Sequence, residues 1–228
     1  MRFISKLFPF VITAILAGCT GRDQKDRSFA GSTVFSDYRI WSEEGRENVT
    51  CLFQFRMGGP DGPPVLLEAP SAIQLDGEKL APDSTKLTGT FYETIKPVAE
   101  FKGKHAVIYT DAEEKQHKLE FEFRPFYLAS ELPAKVTRRS FSVKLAGFSD
   151  GTTPLHLILV DTAFATNDVN EMVEAVNGEI EIRPAMLDKL KAGPVVLEIF
   201  QESTTVVREE KARIWISYGL RREFELTE

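Results

Sequence analysis

Cysteine is nearly missing from this sequence: Cys19 and Cys51 are the two among 228 residues, so no disulfide framework can hold the fold and packing must do it. Basic clusters are missing too. The close pairs Arg138-Arg139 and Arg221-Arg222 are short, and the formal net charge is −6, which argues against nucleic acid as a partner. Long apolar runs are absent. The run from Leu7 to Leu16 carries Pro9 and falls far short of the roughly 20 residues that span a bilayer. Catalytic signatures are absent as well: there is no Gly-x-Ser-x-Gly elbow, no Gly-rich loop ending in Lys-Ser or Lys-Thr, and no His-Glu-x-x-His. His105, His117 and His156 fall in or beside different strands, without the clustered ligands of a zinc site. Asp161, Asp168, Glu171 and Glu174 do not have the spacing of a calcium loop. No catalytic residue, metal or cofactor is therefore expected.

What is present begins with a three-part amino terminus. Arg2 and Lys6 precede the apolar stretch Leu7 to Leu16, and the small residues Ala17 and Gly18 precede Cys19, the pattern of a secretory signal. Leu16-Ala17-Gly18-Cys19 resembles the bacterial lipobox at every position. The resemblance implies a signal peptide over 1–18, cleavage between Gly18 and Cys19, diacylglycerol on the Cys19 sulfur, and acylation of the new amino terminus by a fatty acid such as palmitate. Several acyl chains anchor a protein stably where one binds only marginally. Thr20, in place of Asp, is similar to the outer-membrane sorting pattern. The processed chain would carry 26 basic against 34 acidic side chains, a formal charge of −8. Residues 19–30 are polar and unpatterned, a flexible tether.

From Thr33 onward the dominant signal is alternation. Leu119-Glu120-Phe121-Glu122-Phe123-Arg124 and Phe141-Ser142-Val143-Lys144-Leu145 each place one apolar face on a core, as half-buried strands do. Similar runs occupy Val34 to Trp41, Val49 to Met57, Val65 to Leu67, Thr88 to Ile95, His105 to Thr110, Leu155 to Val160, Glu179 to Arg183, Val195 to Phe200, Ala212 to Tyr218 and Arg222 to Leu226. Turn signals separate them at the spacing of antiparallel sandwiches. The expected fold is all-β: two tandem immunoglobulin-like β-sandwich domains over 31–128 and 134–228, joined by a linker at 129–133, with a short helix in the second. The proline-bounded stretch Arg124 to Pro133 has an apolar middle, so the linker should be packed.

Two short segments recur in order. Leu75-Asp76-Gly77-Glu78 parallels Val176-Asn177-Gly178-Glu179, where Asp-Gly or Asn-Gly supplies the positive φ of a tight turn. Phe101 to Tyr109 parallels Leu190 to Glu198, a glycine introducing a strand in each. Both suggest an internal duplication. Val169, Met172, Val173 and Val176 have helical spacing, Asp168 with Glu171 forms a capping-box pattern, and Asn177-Gly178 would end a helix over 169–176. Pro184 to Lys191 adds a further helical turn. A hairpin closed by Asp111 to Glu114 would set Thr110 opposite Lys115 and His117 opposite Ile108.

The candidates for binding are aromatic. Trp41, Trp215, Tyr38 and Tyr92 could form a platform for sugar or protein, and Trp215 is out of phase with Ile214 and Ile216. Gly58 to Pro64 reads as a rigid hairpin tip, because its three prolines remove amide donors. Cys51, in an apolar run, reads as a buried inert thiol. These features imply a lipid-anchored, non-catalytic envelope protein that binds or scaffolds another protein or a cell-envelope component. A carbohydrate-binding accessory lipoprotein would show an exposed row of aromatics. A strand-donating periplasmic chaperone would present Arg138 or Arg139 in a cleft between the domains.

Overall fold

A computed structural model describes residues 24–25, 33–148, 151–162 and 168–228. The lipobox, with Gly18 and Cys19, lies outside the described residues. The architecture is all-β, and alternation sets it: along β2 (Val34–Glu43) and β3 (Asn48–Met57) the residues Tyr38, Ile40, Val49, Cys51, Phe53 and Phe55 turn inward and are buried.

The short β1 (Gln24–Lys25) pairs parallel with β4 (Val65–Leu66), and β5 (Ala72–Leu75) turns into β6 (Glu78–Lys79). That turn uses Asp76 at φ 50° and Gly77 at φ 84°, the left-handed pair that a tight hairpin requires. β7 (Pro82–Thr85) and β8 (Gly89–Pro97) extend the sheet of β2 and β3, whereas β9 (Gly103–Thr110) and β10 (Gln116–Phe123) join β5 and β6 in a second sheet. Phe55 and Tyr109 meet across the two layers with ring centroids 4.8 Å apart, which closes the first sandwich. The Gly58 to Pro64 stretch folds back as expected: Met57 N–H donates to Pro63, and Arg56 bridges to Pro64.

In the second half, β11 (Tyr127–Leu128), β12 (Lys135–Val136) and β13 (Phe141–Ala146) precede β14 (Thr152–Asp161), β15 (Val169–Val176) and β16 (Glu179–Ile182). One helical turn, α1 (Pro184–Leu187), follows. β17 (Gly193–Val207) and β18 (Ala212–Leu226) then form a hairpin of two 15-residue strands. The sheet order β13-β16-β15-β14-β17-β18 puts β13 and β18 far apart, yet Phe141 and Phe224 touch at 5.9 Å. The sheet therefore rolls over its own Leu- and Ile-rich face, and Met186, Leu187 and Leu190 help fill it.

The helix expected over 169–176 is instead strand β15, paired through eight residues with β14. Two of its helically spaced residues, Met172 and Val176, face solvent, while Val169 and Ala175 are buried. β14 needs a partner on that side, and three valines suit a pleated surface better than a helix. Glu171 does not cap anything; its carboxylate takes Arg183 and Lys189, both at 2.9 Å. Asn177 and Gly178, at φ 49° and 78°, form a hairpin turn. The helical turn at Pro184 is present.

The hairpin β17–β18 is the organising element. Its base, Gly193 to Phe200 with Gly219 to Leu226, belongs to the second half's sheet, but Ala212 to Gly219 runs parallel to Ser36 to Glu43 of β2. The last strand thus completes the first sandwich's sheet, and a single 12-stranded sheet runs through both halves. Ala212–Tyr218 and Arg222–Leu226, expected as separate strands, are one strand. Gly219 sits where a Cβ would meet the Phe200 ring at 2.6 Å, so only glycine lets the ring lie across the strand. At the junction Phe126 packs on Tyr218 at 5.3 Å and on Phe148 at 5.1 Å, which makes the segment before the linker a plug.

Candidate functional site

The sequence pattern that buries Tyr38 and Ile40 must turn Asp37, Arg39 and Trp41 outward. Register then assembles a face. Trp215 is paired with Arg39, which is paired with Leu52 and Glu93 beyond it. One row along, Ser217 is followed by Trp41, Thr50 and Ile95. Trp41 and Trp215, 174 positions apart in sequence, are therefore diagonal neighbours on one face, reached only because β18 crosses from the second half. Both are half-buried and Ile95 is 57% exposed. Tyr38 and Tyr92 do not join them: each is 2% exposed in the core, because both sit on inward positions, and the Tyr92 hydroxyl accepts the Leu67 N–H at 2.9 Å.

Beside the tryptophans lies a polar network. Asp37 is 2% exposed and accepts from Arg39 Nε and Nη2 at 3.1 and 2.8 Å and from Arg213 Nε at 2.9 Å. Burial pushes the Asp37 carboxyl up, but the Arg213 and Arg39 hydrogen bonds and charges outweigh it and hold the group below the usual carboxylate range. Next to Asp37 in register, Gln54 donates to the Thr88 carbonyl at 2.8 Å and accepts from Arg56 Nη2 at 2.6 Å, while Arg56 Nη1 donates to Gly62 at 3.0 Å. These bonds pin the loops at 58–64 and 84–89 to the sheet. Between them runs an open groove of about 930 Å³, floored by Leu52, Phe91, Arg39 and Arg56 and edged by Lys86 and Leu87.

The histidines are structural in their surroundings. His117 pairs with Tyr109, one residue from the expected register, because the turn spans Asp111 to Lys115 with Gln116 opposite Thr110. It lies between Asp111, at 2.8 Å, and Glu210 of the β17–β18 turn. His105 stacks on Phe101 and bonds Asp76 at 2.7 Å. His156 bonds Asn170 at 2.6 Å. Among the described residues no group of three or more His, Cys, Asp or Glu side chains is placed to hold a metal ion. Cys51 is fully buried, and burial pushes its thiol up to about 12. Arg138 donates to the Leu187 and Leu190 carbonyls at 2.6 and 3.1 Å, so its guanidinium serves the end of α1, and Arg139 is exposed.

No family model and no curated protein matches the sequence. Solved structures with some similarity include DIP-gamma IG1+IG2, at 10% identity and a TM-score of 0.25 over 86% of this chain and 97% of that one. Murine CEACAM1b follows at 11% identity and 0.23 over 86% and 99%. A Bacteroides ovatus mixed-linkage glucan utilization locus protein, SGBP-B, in complex with a mixed-linkage heptasaccharide, gives 9% identity and 0.22 over 94% and 70%. The fold assignment rests on the strands and their pairing. Sequence reasoning singled out Trp41 and Trp215 but missed Arg39, Asp37, Arg213 and the groove; the phase of β2 and β18 was the signal available for them.

Proposed function

We propose that this protein is a lipid-anchored, non-catalytic binding protein of the bacterial cell envelope, held through Cys19 at the outer membrane. Its ligand surface is the outward face of β18, β2, β3 and β8. The observation that supports this reading is the convergence of Trp41 and Trp215 on that face, with Arg39 beside both. Buried aromatics contribute to a core, whereas aromatics on the outer face of a sheet offer flat apolar area next to water. Of the ligand classes, the face favours a glycan chain over a protein strand. Over Ser36 to Trp41 of β2 and Thr50 to Phe53 of β3 there are neighbours on both sides, so the main-chain groups beneath the tryptophan row are already paired and strand addition, which needs a free edge, is closed to them. Side chains must do the recognition, and indole, guanidinium and hydroxyl groups suit sugar rings and hydroxyls.

The test is intrinsic tryptophan fluorescence of the processed chain titrated with a panel of envelope and plant polysaccharides, alongside capture of proteins from native membranes. Glycan-dependent quenching that is lost in Trp41→Ala and Trp215→Ala variants, yet survives Cys19→Ala, is expected. A protein captured reproducibly by the parent and both tryptophan variants, without glycan binding, would contradict the assignment of the face. Cys19→Ala should also move the protein from the membrane fraction to the soluble one.

A further inference from the structure

We propose that the groove beside the tryptophans selects a glycan bearing carboxylate groups, a uronate-type chain, which rests on the assignment of this face to glycan binding. The argument starts from charge. The chain carries a formal net charge of −6, so a nonselective surface here would be acidic. The groove is the reverse: Arg39, Arg56 and Lys86 line it against Glu93 alone. Asp37 does not cancel them, because one carboxylate is shared by two guanidiniums, Arg39 and Arg213; with Asp61 acting on Arg213 as well, the four cations Arg39, Arg56, Lys86 and Arg213 still exceed the three carboxylates of Glu93, Asp37 and Asp61 by one charge. Arg56 is held by neutral partners, the Gln54 amide oxygen and the Gly62 carbonyl.

The cations are also positioned before any ligand arrives. Arg39 is fixed by two bonds to a buried carboxylate, yet its side chain is 47% exposed, so a face of the guanidinium remains open. A guanidinium has five donors in a rigid fork that matches a carboxylate. Lys86, in the loop that Gln54 pins through Thr88, adds a point charge at the rim. Between these charges Leu52, Phe91 and Leu87 supply apolar surface, and Ser84, Thr85 and Thr88 supply hydroxyls. Leu87 is 95% exposed, an apolar side chain left in water at the groove's edge. Cationic and apolar side chains that share a groove containing Arg39, the residue paired with Trp215, fit a chain whose rings stack while their carboxylates meet guanidinium and ammonium groups.

The experiment uses the processed chain and matched probes: oligogalacturonate, the same oligomer with its carboxyl groups methyl-esterified, and a neutral oligogalactan, with calorimetric or fluorescence titration at low and moderate salt. Hyaluronate and alginate oligomers, each beside its carboxyl-reduced form, complete the set. At least one acidic oligomer should bind, lose about fivefold or more in affinity when its carboxylates are blocked, and weaken as salt is raised. Arg39→Gln and Lys86→Gln should each weaken that binding by about twofold to fivefold, whereas Lys135→Gln, on the other half, should not. Far-ultraviolet circular dichroism and the melting midpoint establish that each variant is folded. Neutral and acidic oligomers binding equally, with loss in Trp41→Ala and Trp215→Ala, would overturn this inference and leave the glycan-binding face standing. Acidic binding unchanged by both Arg39→Gln and Lys86→Gln would place the carboxylates elsewhere and overturn it too. No binding of any oligomer would end both readings.

Discussion

Replacing His117 by asparagine removes a cation from between two carboxylates and tests how the hairpin tip is held to the first sandwich. The ring stacks on Tyr109, with Asp111 on one side and Glu210 on the other. Asp111 comes from the β9–β10 turn, Glu210 from the β17–β18 turn. Burial disfavours the charged ring, but the hydrogen bonds and charges of Asp111 and Glu210 outweigh it and raise the pKa above 6.5. The three side chains are 18%, 19% and 32% exposed, so solvent screens the pairs only in part, and together they stabilise the fold by about 1–2 kcal/mol. Because folding raises this pKa, the stabilisation is complete below 6.5 and disappears as the pH climbs through the higher folded value. Asp111 acts in the opposite sense: its pKa is lowered, so its share is present above 3.8 and is lost as the pH falls through its folded value. For a chain of this length the alkaline loss corresponds to a fall of about 2–8 °C in melting temperature between about pH 6 and pH 9. Scanning calorimetry across that range should find the fall in the parent and a flatter profile in His117→Asn. Hydrogen exchange compared at one pH below 6.5 should find residues 208–216 less protected in the variant. Equal slopes in the two proteins, with equal protection of the tip, would refute the reasoning.

Two further outcomes follow from local geometry. At Gly178, φ is 78° and an added Cβ would stand 2.4 Å from the Leu145 carbonyl oxygen, so Gly178→Ala should lose about 2 kcal/mol or more; a urea midpoint equal to the parent's would contradict the turn geometry. Cys51 is wholly buried with its thiol raised to about 12, so a thiol-specific disulfide reagent at about pH 8 should label it only at the rate of unfolding; rapid stoichiometric labelling of the folded Cys19→Ala variant, in which Cys51 is the one thiol, would show that β3 is open.

The class of fold was legible because alternation is a local property: each of the runs around Val34, Val49, Phe141 and Leu155 needed only its own residues to declare an inward and an outward face. The tight turns at Asp76-Gly77 and Asn177-Gly178 were legible for the same reason, since the positive φ is set by residue type. Where two periodicities shared the same residues, sequence misled. Val169 to Val176 satisfied a helical spacing, and only the unpaired side of β14 decided for a strand. The far half of β17, Gln201 to Val207, carries Glu, Ser and Thr in a row and has no apolar alternation to reveal it; its partner β18 holds it in the sheet.

The binding face shows the same division. Sequence by itself determined that Trp215 is out of phase with its apolar neighbours and that Trp41 lies opposite Ile40 in the pleat, because side-chain direction follows from a period of two. It also determined the lipobox resemblance at Leu16 to Cys19, which is a contiguous motif. Only the tertiary structure decided that the two tryptophans share a face, that Arg39 and Arg213 share Asp37, and that the loops at 58–64 and 84–89 wall a groove. Those facts depend on β18 leaving the second half's sheet and pairing in parallel with β2, a contact between residues some 176 positions apart, and no local pattern encodes which distant strand will fill an open sheet edge.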